Sequence, residues 1–323
     1  MKAYALPHDF PNLDQERQML ASVGVELTEI EATDPQDIAR VAGDAVALFV
    51  QYTKITEETL SRLPQCKVIL RYGIGVDNVD LEAAARYGIW VCNVPFYCIN
   101  EVADHAFSFL LAAARKLIPS NRSVHEGKWD FLDYRPIQCL AGKTLGLAGF
   151  GRIARQVAKR AQAFDMHVIA YDPWAPAGAF DSAGVRSADL DELFGESDFL
   201  SLHVPLTDGT KHLINERSLA KMKDGVVIVN TARGGLIHTE DAANGIETGK
   251  IGALCVDVLE QEPPDGSHPW IGLEQVLITP HSAYYSEESL PRLQRQAAEE
   301  VLRVLGGERP ASPANAKWMP ETP

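Results

Sequence analysis

Proton transfer on an anionic substrate requires three kinds of side chain that this sequence supplies in its second half, as Arg233, Glu262 and His281. A histidine changes its protonation state near neutral pH, so His281 can take a proton from a hydroxyl group or return it. Glu262, hydrogen-bonded to the other ring nitrogen, would fix the tautomer and stabilise the imidazolium ion. Arg233 can hold a carboxylate and polarise a carbonyl group. Each residue alone also fits a structural role, so their relative positions decide the interpretation.

A glycine-rich turn precedes these residues, with the sequence Gly149-Phe150-Gly151-Arg152-Ile153-Ala154. Such a string is weak by itself, but here a predicted strand enters the turn and a predicted helix leaves it. Gly149 allows the sharp turn, and Gly151 lets backbone N–H groups approach a pyrophosphate at the positive end of the helix. Ala154 stands in place of the third glycine and is still small enough for close packing. This context favours a dinucleotide site.

Asp172 follows the next predicted strand, at the distance expected for a carboxylate that binds ribose hydroxyl groups. A carboxylate at this position also repels a 2′-phosphate. Pro173 and Trp174 come next, with no adjacent arginine to receive that phosphate. The sequence therefore predicts NAD rather than NADP.

The elements that position these groups are short apolar runs alternating with amphipathic stretches, a pattern typical of parallel sheets covered by helices. Predicted strands of the first half are Ala3–Leu6, Val25–Ile30, Ala45–Val50, Val68–Leu70 and Ile89–Cys92. Those of the second half are Thr144–Ala148, His167–Tyr171, Phe199–Val204, Val226–Asn230, Gly252–Asp257 and Val276–Thr279. The fold class expected is α/β, with two doubly wound parallel-sheet domains.

Arg233, Glu262 and His281 each come shortly after one of these strands. Ligands in open α/β sheets bind outside the carboxyl ends of the strands, so we expect all three side chains at one sheet edge, together with the glycine turn. A proton-transferring pair beside a dinucleotide indicates hydride transfer between a nicotinamide cofactor and a hydroxy acid.

Helices are predicted between the strands, and two of them indicate how the domains and subunits are arranged. The helix Glu101–Leu117 is expected to stop at Pro119, leaving 120–142 as an irregular segment able to wrap over a neighbouring subunit. The last helix, near Glu287–Leu305, follows the second series of strands, so the chain can return there to the first domain.

Composition limits the function classes. The 323 residues suffice for two domains, and a formal charge of −14 disfavours a broad grip on nucleic acid or an anionic membrane. Five cysteines without a CxxC pair favour a reducing compartment, and no apolar leader or membrane span is recognisable, so the expected location is cytoplasmic.

Other chemistries fit less well. The nine histidines show no metal-ligand spacing such as HExxH, so no metal is expected. The GxSxG elbow of a serine hydrolase is missing. A methyltransferase also places its cofactor on a glycine-rich turn, but gives no reason for Arg233 and His281 at the same edge.

The chain resembles the D-isomer-specific 2-hydroxyacid dehydrogenases along nearly its whole length. The resemblance is carried by 73–78 (GIGVDN), 94–95 (VP), 149–154, 230–234 (NTARG), 262–263 (EP) and 280–281 (PH). Within the family it is most similar to the C-terminal binding protein branch, through 71–78, 91–95, 161–164 and 281–287. Tyr284 departs from that branch, whose animal corepressors have tryptophan there.

The resemblance implies a discontinuous flavodoxin-like substrate-binding domain, 1–95 with 285–323, into which a Rossmann NAD-binding domain, 96–284, is inserted. It implies a homodimer formed through the cofactor domain and catalytic roles for Arg233, Glu262 and His281. Implied substrate-binding residues are Arg71, Ile74, Gly75 and Tyr284. Implied cofactor-binding residues are Val102, Gly149, Phe150, Gly151, Arg152, Ile153, Asp172, Val204, Pro205, Thr210, Thr231, Ala232, Asp257 and His281.

Two functions therefore remain in view. The first is an NAD-dependent dehydrogenase of small 2-hydroxy acids; the second is an NAD(H)-responsive protein-binding module like the corepressors of the branch. The acid itself is left open. Lys54 would suit a phosphorylated substrate such as 3-phosphoglycerate, whereas an aromatic pocket is suggested by Tyr72, Phe96, Tyr97 and Tyr284.

Overall fold

The structure is a computed structural model that describes residues 1–320. Two compact units make it up. One comprises Met1–Cys98 and the chain from Tyr285 onward, and the other comprises Ile99–Tyr284. Residues 96–98, which the sequence assigns to the cofactor domain, thus lie in the first unit.

The first unit is built on a five-stranded parallel sheet with the order β2-β1-β3-β4-β5, the order of flavodoxin-like folds. Its strands are β1 (Lys2–Ala5), β2 (Glu26–Glu29), β3 (Ala45–Val50), β4 (Val68–Arg71) and β5 (Trp90–Cys92). Its first four helices are α1 (Asp14–Ala21), α2 (Pro35–Ala42), α3 (Glu57–Leu60) and α4 (Leu81–Arg86).

The second unit contains a seven-stranded parallel sheet with the order β12-β11-β10-β9-β6-β7-β8. Its strands are β6 (Thr144–Ala148), β7 (His167–Tyr171), β8 (Arg186–Ser187), β9 (Phe199–Leu202), β10 (Val226–Asn230), β11 (Ile251–Val256) and β12 (Val276–Ile278). Numbered within the unit this is the Rossmann order, and it reverses between β6 and β9, where such sheets bind dinucleotides.

Six helices belong to the second unit: α5 (Ile99–Ala114), α6 (Leu117–His125), α7 (Arg152–Ala163), α8 (Leu190–Glu196), α9 (Glu216–Lys221) and α10 (Thr239–Glu247). The sheet is buried on both faces. Along β10, Val227 and Val229 pack into one apolar cluster, and Val226 and Ile228 into the other. This explains why the strand reads as a continuous apolar run rather than an alternation.

The chain returns to the first unit through α11 (Ser289–Leu305), which packs against α1 and β4. Beyond it, the buried side chain of Asn315 accepts a hydrogen bond from Val91 N and donates one to Ile89 O. These contacts with the backbone around β5 fix the returning segment, so the fold class expected from the sequence is confirmed for both units.

Pro119 does not end the long helix, which corrects the sequence prediction. The helix α5 stops at Ala114, Lys116 adopts a left-handed conformation (φ 52°), and α6 begins at Leu117. Pro119 lies in the first turn of α6, where the backbone N–H groups have no helical acceptor and proline is tolerated. Part of the segment 120–142 is therefore helical.

Within residues 1–320, none of the helices combines the length and apolar character needed to cross a bilayer.

Candidate active site

The carboxyl ends of the central strands of the second unit lie level with one another. In the register of the sheet, Asn230 pairs with Val256 and Leu202, and the same row continues to Ile278 and Ala148. The glycine turn and the segments that carry Arg233, Asp257, Glu262 and His281 all leave the sheet after this row. The edge predicted from the sequence therefore carries these groups.

Glu262 and His281 form a direct pair at this edge. Oε2 of Glu262 lies 2.6 Å from Nδ1 of His281, and the other carboxylate oxygen accepts the backbone N–H of Leu259 at 2.8 Å. The His281 side chain remains 40% exposed. A group that exchanges a proton with a ligand needs this accessibility.

The charge state of Glu262 fixes the tautomer of His281. Burial alone would raise the pKa of Glu262, but the hydrogen bonds from His281 and Leu259, with the positive charge of Arg233, hold that pKa below its ordinary value. An ionised carboxylate only accepts hydrogen bonds, so the proton in this contact belongs to Nδ1 of His281. Nε2 is then the nitrogen available to a substrate oxygen.

His281 occupies a left-handed backbone conformation, with φ of 52°, which is uncommon for a residue other than glycine. Its N–H donates to Asp257 O at 2.9 Å and to Thr279 O at 3.0 Å. The Asp257 side chain accepts the N–H groups of Ser282 and Ala283, both at 2.9 Å, and is 2% exposed. Asp257, given above as a cofactor residue, thus holds the loop that carries His281.

The turn that carries Arg233 is shaped by Asn230, the last residue of β10. Nδ2 of Asn230 donates to Arg233 O at 2.9 Å, while Oδ1 accepts the N–H of Ala232 at 3.0 Å. The residue after Arg233 must be glycine, because a Cβ on Gly234 would lie 1.9 Å from the carbonyl carbon of Leu259. This close approach brings the Arg233 turn against the segment that leads to Glu262.

The glycine turn meets two different requirements. Gly149 has φ of 95°, and a Cβ there would lie 2.7 Å from His203 O, so the fold itself excludes a side chain. A Cβ on Gly151 would meet nothing within 4 Å in the protein. Gly151 is the N-cap of α7 and offers no side-chain cap, so the N–H groups of the first helical turn remain available to an anion such as a pyrophosphate.

The side chains of three other expected cofactor residues differ in the hydrogen bonds that they make within the protein. Oγ1 of Thr231 is buried and, within the described chain, has no hydrogen-bond partner, as expected of a group that meets a ligand. Asp172 accepts the N–H groups of Phe150 and Trp174, both at 2.9 Å, and retains lone pairs for further donors. Thr210 closes its own loop by donating to Pro205 O at 2.6 Å.

The remaining expected cofactor residues differ in exposure. The Phe150 side chain is 1% exposed and stacks on Phe180, so only its backbone can reach a ligand. Val102 is buried, and Ile153 packs against the apolar cluster that contains Phe150. Arg152 and Pro205 are exposed, and Val204 and Ala232 are intermediate.

Arg71, Ile74 and Gly75 belong to the first unit. Asn93 Nδ2 donates to Ile74 O at 2.6 Å, which fixes the loop that follows β4. Among the described residues, no acceptor is found for the backbone N–H of Ile74 or of Gly75. A side chain on Gly73 would displace the Arg71 guanidinium, because its Cβ would lie 1.9 Å from Nη1.

The aromatic residues and the lysine suggested for substrate binding differ in burial and in their partners. Tyr72 is buried, with its hydroxyl group donating to Glu16 at 2.8 Å, so it belongs to the core. Tyr284 lies beside His281, with ring centroids 6.3 Å apart. Phe96 is half exposed, Tyr97 is buried, and Lys54 is an exposed lysine.

Across residues 1–320, no three His, Cys, Asp or Glu side chains come together as a metal ion would require. Sequence reasoning did not single out Asn230, which shapes the Arg233 turn, or Thr279, which donates to Asp257, or His105, whose Nε2 lies 3.0 Å from Oγ1 of Thr279. Only Asn230 had a local signal, since asparagine after a strand readily bonds nearby backbone groups.

Comparison with known proteins places this geometry in a family. The model of the D-isomer specific 2-hydroxyacid dehydrogenase, NAD binding domain, matches residues 107–283. A hydroxypyruvate reductase of Thermotoga maritima is 41% identical over 298 residues, covering 91% of this chain and 96% of that protein. A D-3-phosphoglycerate dehydrogenase of Methanocaldococcus jannaschii is 40% identical over 301 residues, covering 92% of this chain but 57% of that longer protein.

Among solved structures, the D-lactate dehydrogenase of Aquifex aeolicus, complexed with NAD and lactic acid, matches with a TM-score of 0.85 at 29% identity. The match covers 95% of this chain and 96% of that one. With a glycine turn, an unpartnered Thr231 hydroxyl and uncapped N–H groups at one sheet edge, the second unit fits the cofactor of that complex. This chain belongs to the D-isomer specific 2-hydroxyacid dehydrogenase family and uses NAD(H) as its cofactor.

Proposed function

We propose that this protein is an NAD-dependent oxidoreductase that interconverts a D-2-hydroxy acid and its 2-keto acid. The proposal rests on one observation above the others: Glu262 and His281 form a 2.6 Å pair at the sheet edge that also carries Arg233 and the glycine turn. Oxidation of a secondary alcohol removes a hydride from carbon and a proton from oxygen. The pair supplies the second of these operations.

NAD(H), when bound, supplies or accepts the hydride. In the reductive direction, Nε2 of the His281 imidazolium donates its proton to the keto oxygen as that oxygen gains negative charge. The ionised Glu262 stabilises the imidazolium before this transfer and keeps the remaining proton on Nδ1 afterwards. In the oxidative direction, Nε2 of neutral His281 accepts the hydroxyl proton.

Arg233 is proposed to hold the substrate carboxylate and polarise its carbonyl group. Asn230 accepts the N–H of Ala232 and donates to the carbonyl oxygen of Arg233, so the backbone from which the arginine side chain extends is fixed. In the first unit, the N–H groups of Ile74 and Gly75 and the guanidinium of Arg71 are proposed to bind a carboxylate as well. Adjacent N–H groups without a protein acceptor support this assignment.

The substrate class we favour is a small 2-keto acid without a phosphate. The hydroxypyruvate reductase that this chain resembles is matched over nearly its whole length, whereas the phosphoglycerate dehydrogenase is matched over 57% of it. The test is NADH oxidation with glyoxylate, hydroxypyruvate, pyruvate, phenylpyruvate and 3-phosphohydroxypyruvate, compared by kcat/KM. Turnover with none of these acids would contradict the proposed function.

We also propose that the protein is a homodimer formed through the second unit. Exposed apolar side chains cluster on α6 and the segment after it, including Leu117, Val124, Trp129 (89% exposed) and Phe131 (67% exposed). Exposed large apolar side chains this close together in the chain support a protein interface at this segment. Light scattering should give twice the chain mass for the wild type and a monomer mass for Trp129→Asp/Phe131→Asp.

The alternative is an NAD(H)-responsive protein-binding module, similar to the C-terminal binding protein branch. The strings shared with that branch, among them His281-Ser-Ala-Tyr-Tyr-Ser-Glu, favour it. The named relatives compared above are enzymes, and the Glu262–His281 pair is suited to proton transfer, which a binding module does not require. Binding of a protein partner that depends on NADH, with no turnover on any 2-keto acid, would reverse the order of the two.

A further inference from the structure

A chain of side-chain hydrogen bonds connects α5 with the loop that carries His281. Nε2 of His105, on α5, lies 3.0 Å from Oγ1 of Thr279, and that hydroxyl lies 2.5 Å from Oδ1 of Asp257. The Asp257 carboxylate in turn accepts the N–H groups of Ser282 and Ala283. His281 therefore lies between two segments, Thr279 and 282–283, that are both attached to the same carboxylate.

The direction of these bonds follows from the proton count. The Thr279 hydroxyl group donates to Oδ1 of Asp257, so its single proton is used in that bond. Thr279 Oγ1 must then accept from His105, which requires a proton on Nε2 of His105. The ring of Phe109, one helical turn further along α5, holds the imidazole edge to face with centroids 4.5 Å apart. The donor is thus aimed by packing as well as by its bond.

The backbone of His281 needs such support. A φ of 52° in a residue with a side chain costs free energy and persists only where the surroundings enforce it. This conformation is held by Asp257 O and Thr279 O, which accept the His281 N–H. The Asp257 carboxylate also holds it, by accepting the N–H groups of Ser282 and Ala283. Without the donor on α5, the Thr279 side chain has no partner on that side and can rotate away from Asp257.

We propose that His105 is a positioning residue for His281, acting through Thr279 and Asp257 to keep Nδ1 of His281 on Glu262. The inference rests on the proposed function, because it concerns the group to which that function assigns proton transfer. His105 itself touches neither substrate nor cofactor in this role. Its effect should therefore fall on kcat rather than on the affinity for NADH.

A set of variants distinguishes the effect of the His105–Thr279 hydrogen bond from the effect of side-chain volume. His105→Leu and Thr279→Val each break the chain while keeping a similar volume. His105→Gln retains an N–H donor near the position of Nε2, and Thr279→Ser retains the hydroxyl group. Asp104→Asn is the matched control, because Asp104 is the exposed neighbour of His105 on α5 and its carboxylate pairs with Arg160, away from Thr279.

We expect His105→Leu and Thr279→Val to lower kcat about tenfold, the double variant to lose no more than either alone, and the dissociation constant of NADH to stay within about twofold. The Gln and Ser variants should recover most of the rate, and the control should match the wild type. Additive losses, or a kcat within about twofold of the wild type in both apolar variants, would overturn the inference.

A spectroscopic measurement makes the result independent of turnover. Two-dimensional ¹H–¹⁵N NMR reports whether the proton of His281 is fixed on Nδ1, and we expect that signature in the wild type and its loss in both apolar variants. If it persists in either one, the inference is wrong. A wild type without activity on every acid would refute the proposed function alone, since the NMR comparison would still decide the role of His105.

Discussion

Oε2 of Glu262 lies 2.6 Å from Nδ1 of His281, and this contact selects the nitrogen that faces a substrate. The carboxylate stays ionised because hydrogen bonds from His281 and Leu259 outweigh the burial that would raise the pKa of Glu262. A negative charge at that point stabilises the imidazolium form and disfavours the tautomer with its proton on Nε2. The pair thus combines orientation of the ring with electrostatic support.

A substitution that removes the charge of Glu262 but keeps its shape should reveal the electrostatic contribution of the pair. We expect Glu262→Gln to lower kcat about 10²-fold while KM changes little, because the amide no longer stabilises the imidazolium. Steady-state kinetics with the best 2-keto acid measures this. Asp265→Asn is the control, since Asp265 lies in the same acidic loop and its side chain accepts hydrogen bonds from Ser267 rather than from His281. Equal losses in both variants would assign the effect to the loop rather than to Glu262.

The two glycines of the dinucleotide turn, Gly149 and Gly151, should respond differently to a methyl group. Gly149→Ala should lower the melting temperature of the cofactor-free protein, because its Cβ would collide with His203 O and φ of 95° is strained for alanine. Gly151→Ala should cost less than about 1 kcal/mol of stability, since it meets no protein atom. Its NADH affinity should nevertheless fall at least about tenfold, because the methyl group fills the approach of the pyrophosphate.

Thermal melts without cofactor and fluorescence titration with NADH separate these outcomes. If Gly151→Ala bound NADH as the wild type does, the pyrophosphate would have to lie elsewhere.

Gly234 tests the close approach between the Arg233 turn and the Glu262 segment. We expect Gly234→Ala to reduce the free energy of unfolding by about 1–3 kcal/mol and to lower kcat/KM, because its Cβ would lie 1.9 Å from the Leu259 backbone. Gly235→Ala is the matched control: its nearest neighbour is the flexible Leu206 side chain, at 3.0 Å. Urea unfolding and kinetics on both variants provide the comparison, and identical behaviour would contradict the steric argument.

His203 gives a prediction for the pH dependence of stability. Burial lowers its pKa from 6.5 to about 4, and its Nε2 lies 2.9 Å from the hydroxyl of Ser201. Between pH 4 and 6.5 the unfolded chain binds a proton at this histidine and the folded chain does not. Protonation of His203 therefore does not reduce the free energy of unfolding above pH 6.5, but reduces it increasingly as the pH falls towards 4. The loss attributable to this group is up to about 3 kcal/mol.

Urea unfolding at pH 7 and pH 5 should therefore show a smaller pH effect in His203→Gln than in the wild type. An equal effect in both proteins would mean that other groups carry it.

The sheet edge was predictable because parallel strands impose it. Once Val226–Asn230 is identified as a buried strand, Arg233 has to follow its carboxyl end, and the same argument applies to His281 after β12. The helix α6 was missed because proline has two meanings in a helical pattern: it ends a helix or occupies its first turn. The strand β8, two exposed residues long, has no apolar signal at all.

The contacts that shape the site join residues that are far apart in the chain. No local sequence pattern indicates such contacts. His105 and Thr279 are 174 residues apart, and nothing near either one indicates the other. The Gly234–Leu259 approach likewise depends on how two loops meet above β10 and β11. The local sequence predicts which side chains lie at the carboxyl edge of the sheet. The 2.6 Å contact of His281 with Glu262 and the 3.0 Å contact of His105 with Thr279 depend on the packing of the whole unit.

The central claim, proton transfer by His281, is tested most directly by the turnover number of His281→Asn. Asparagine is among the few residues that tolerate a left-handed backbone, so this substitution removes the imidazole while preserving the loop. We predict that kcat for reduction of the best 2-keto acid falls at least about 10²-fold, far more than the affinity for NADH, which His281 also helps to bind. A variant that turns over as fast as the wild type would contradict the account.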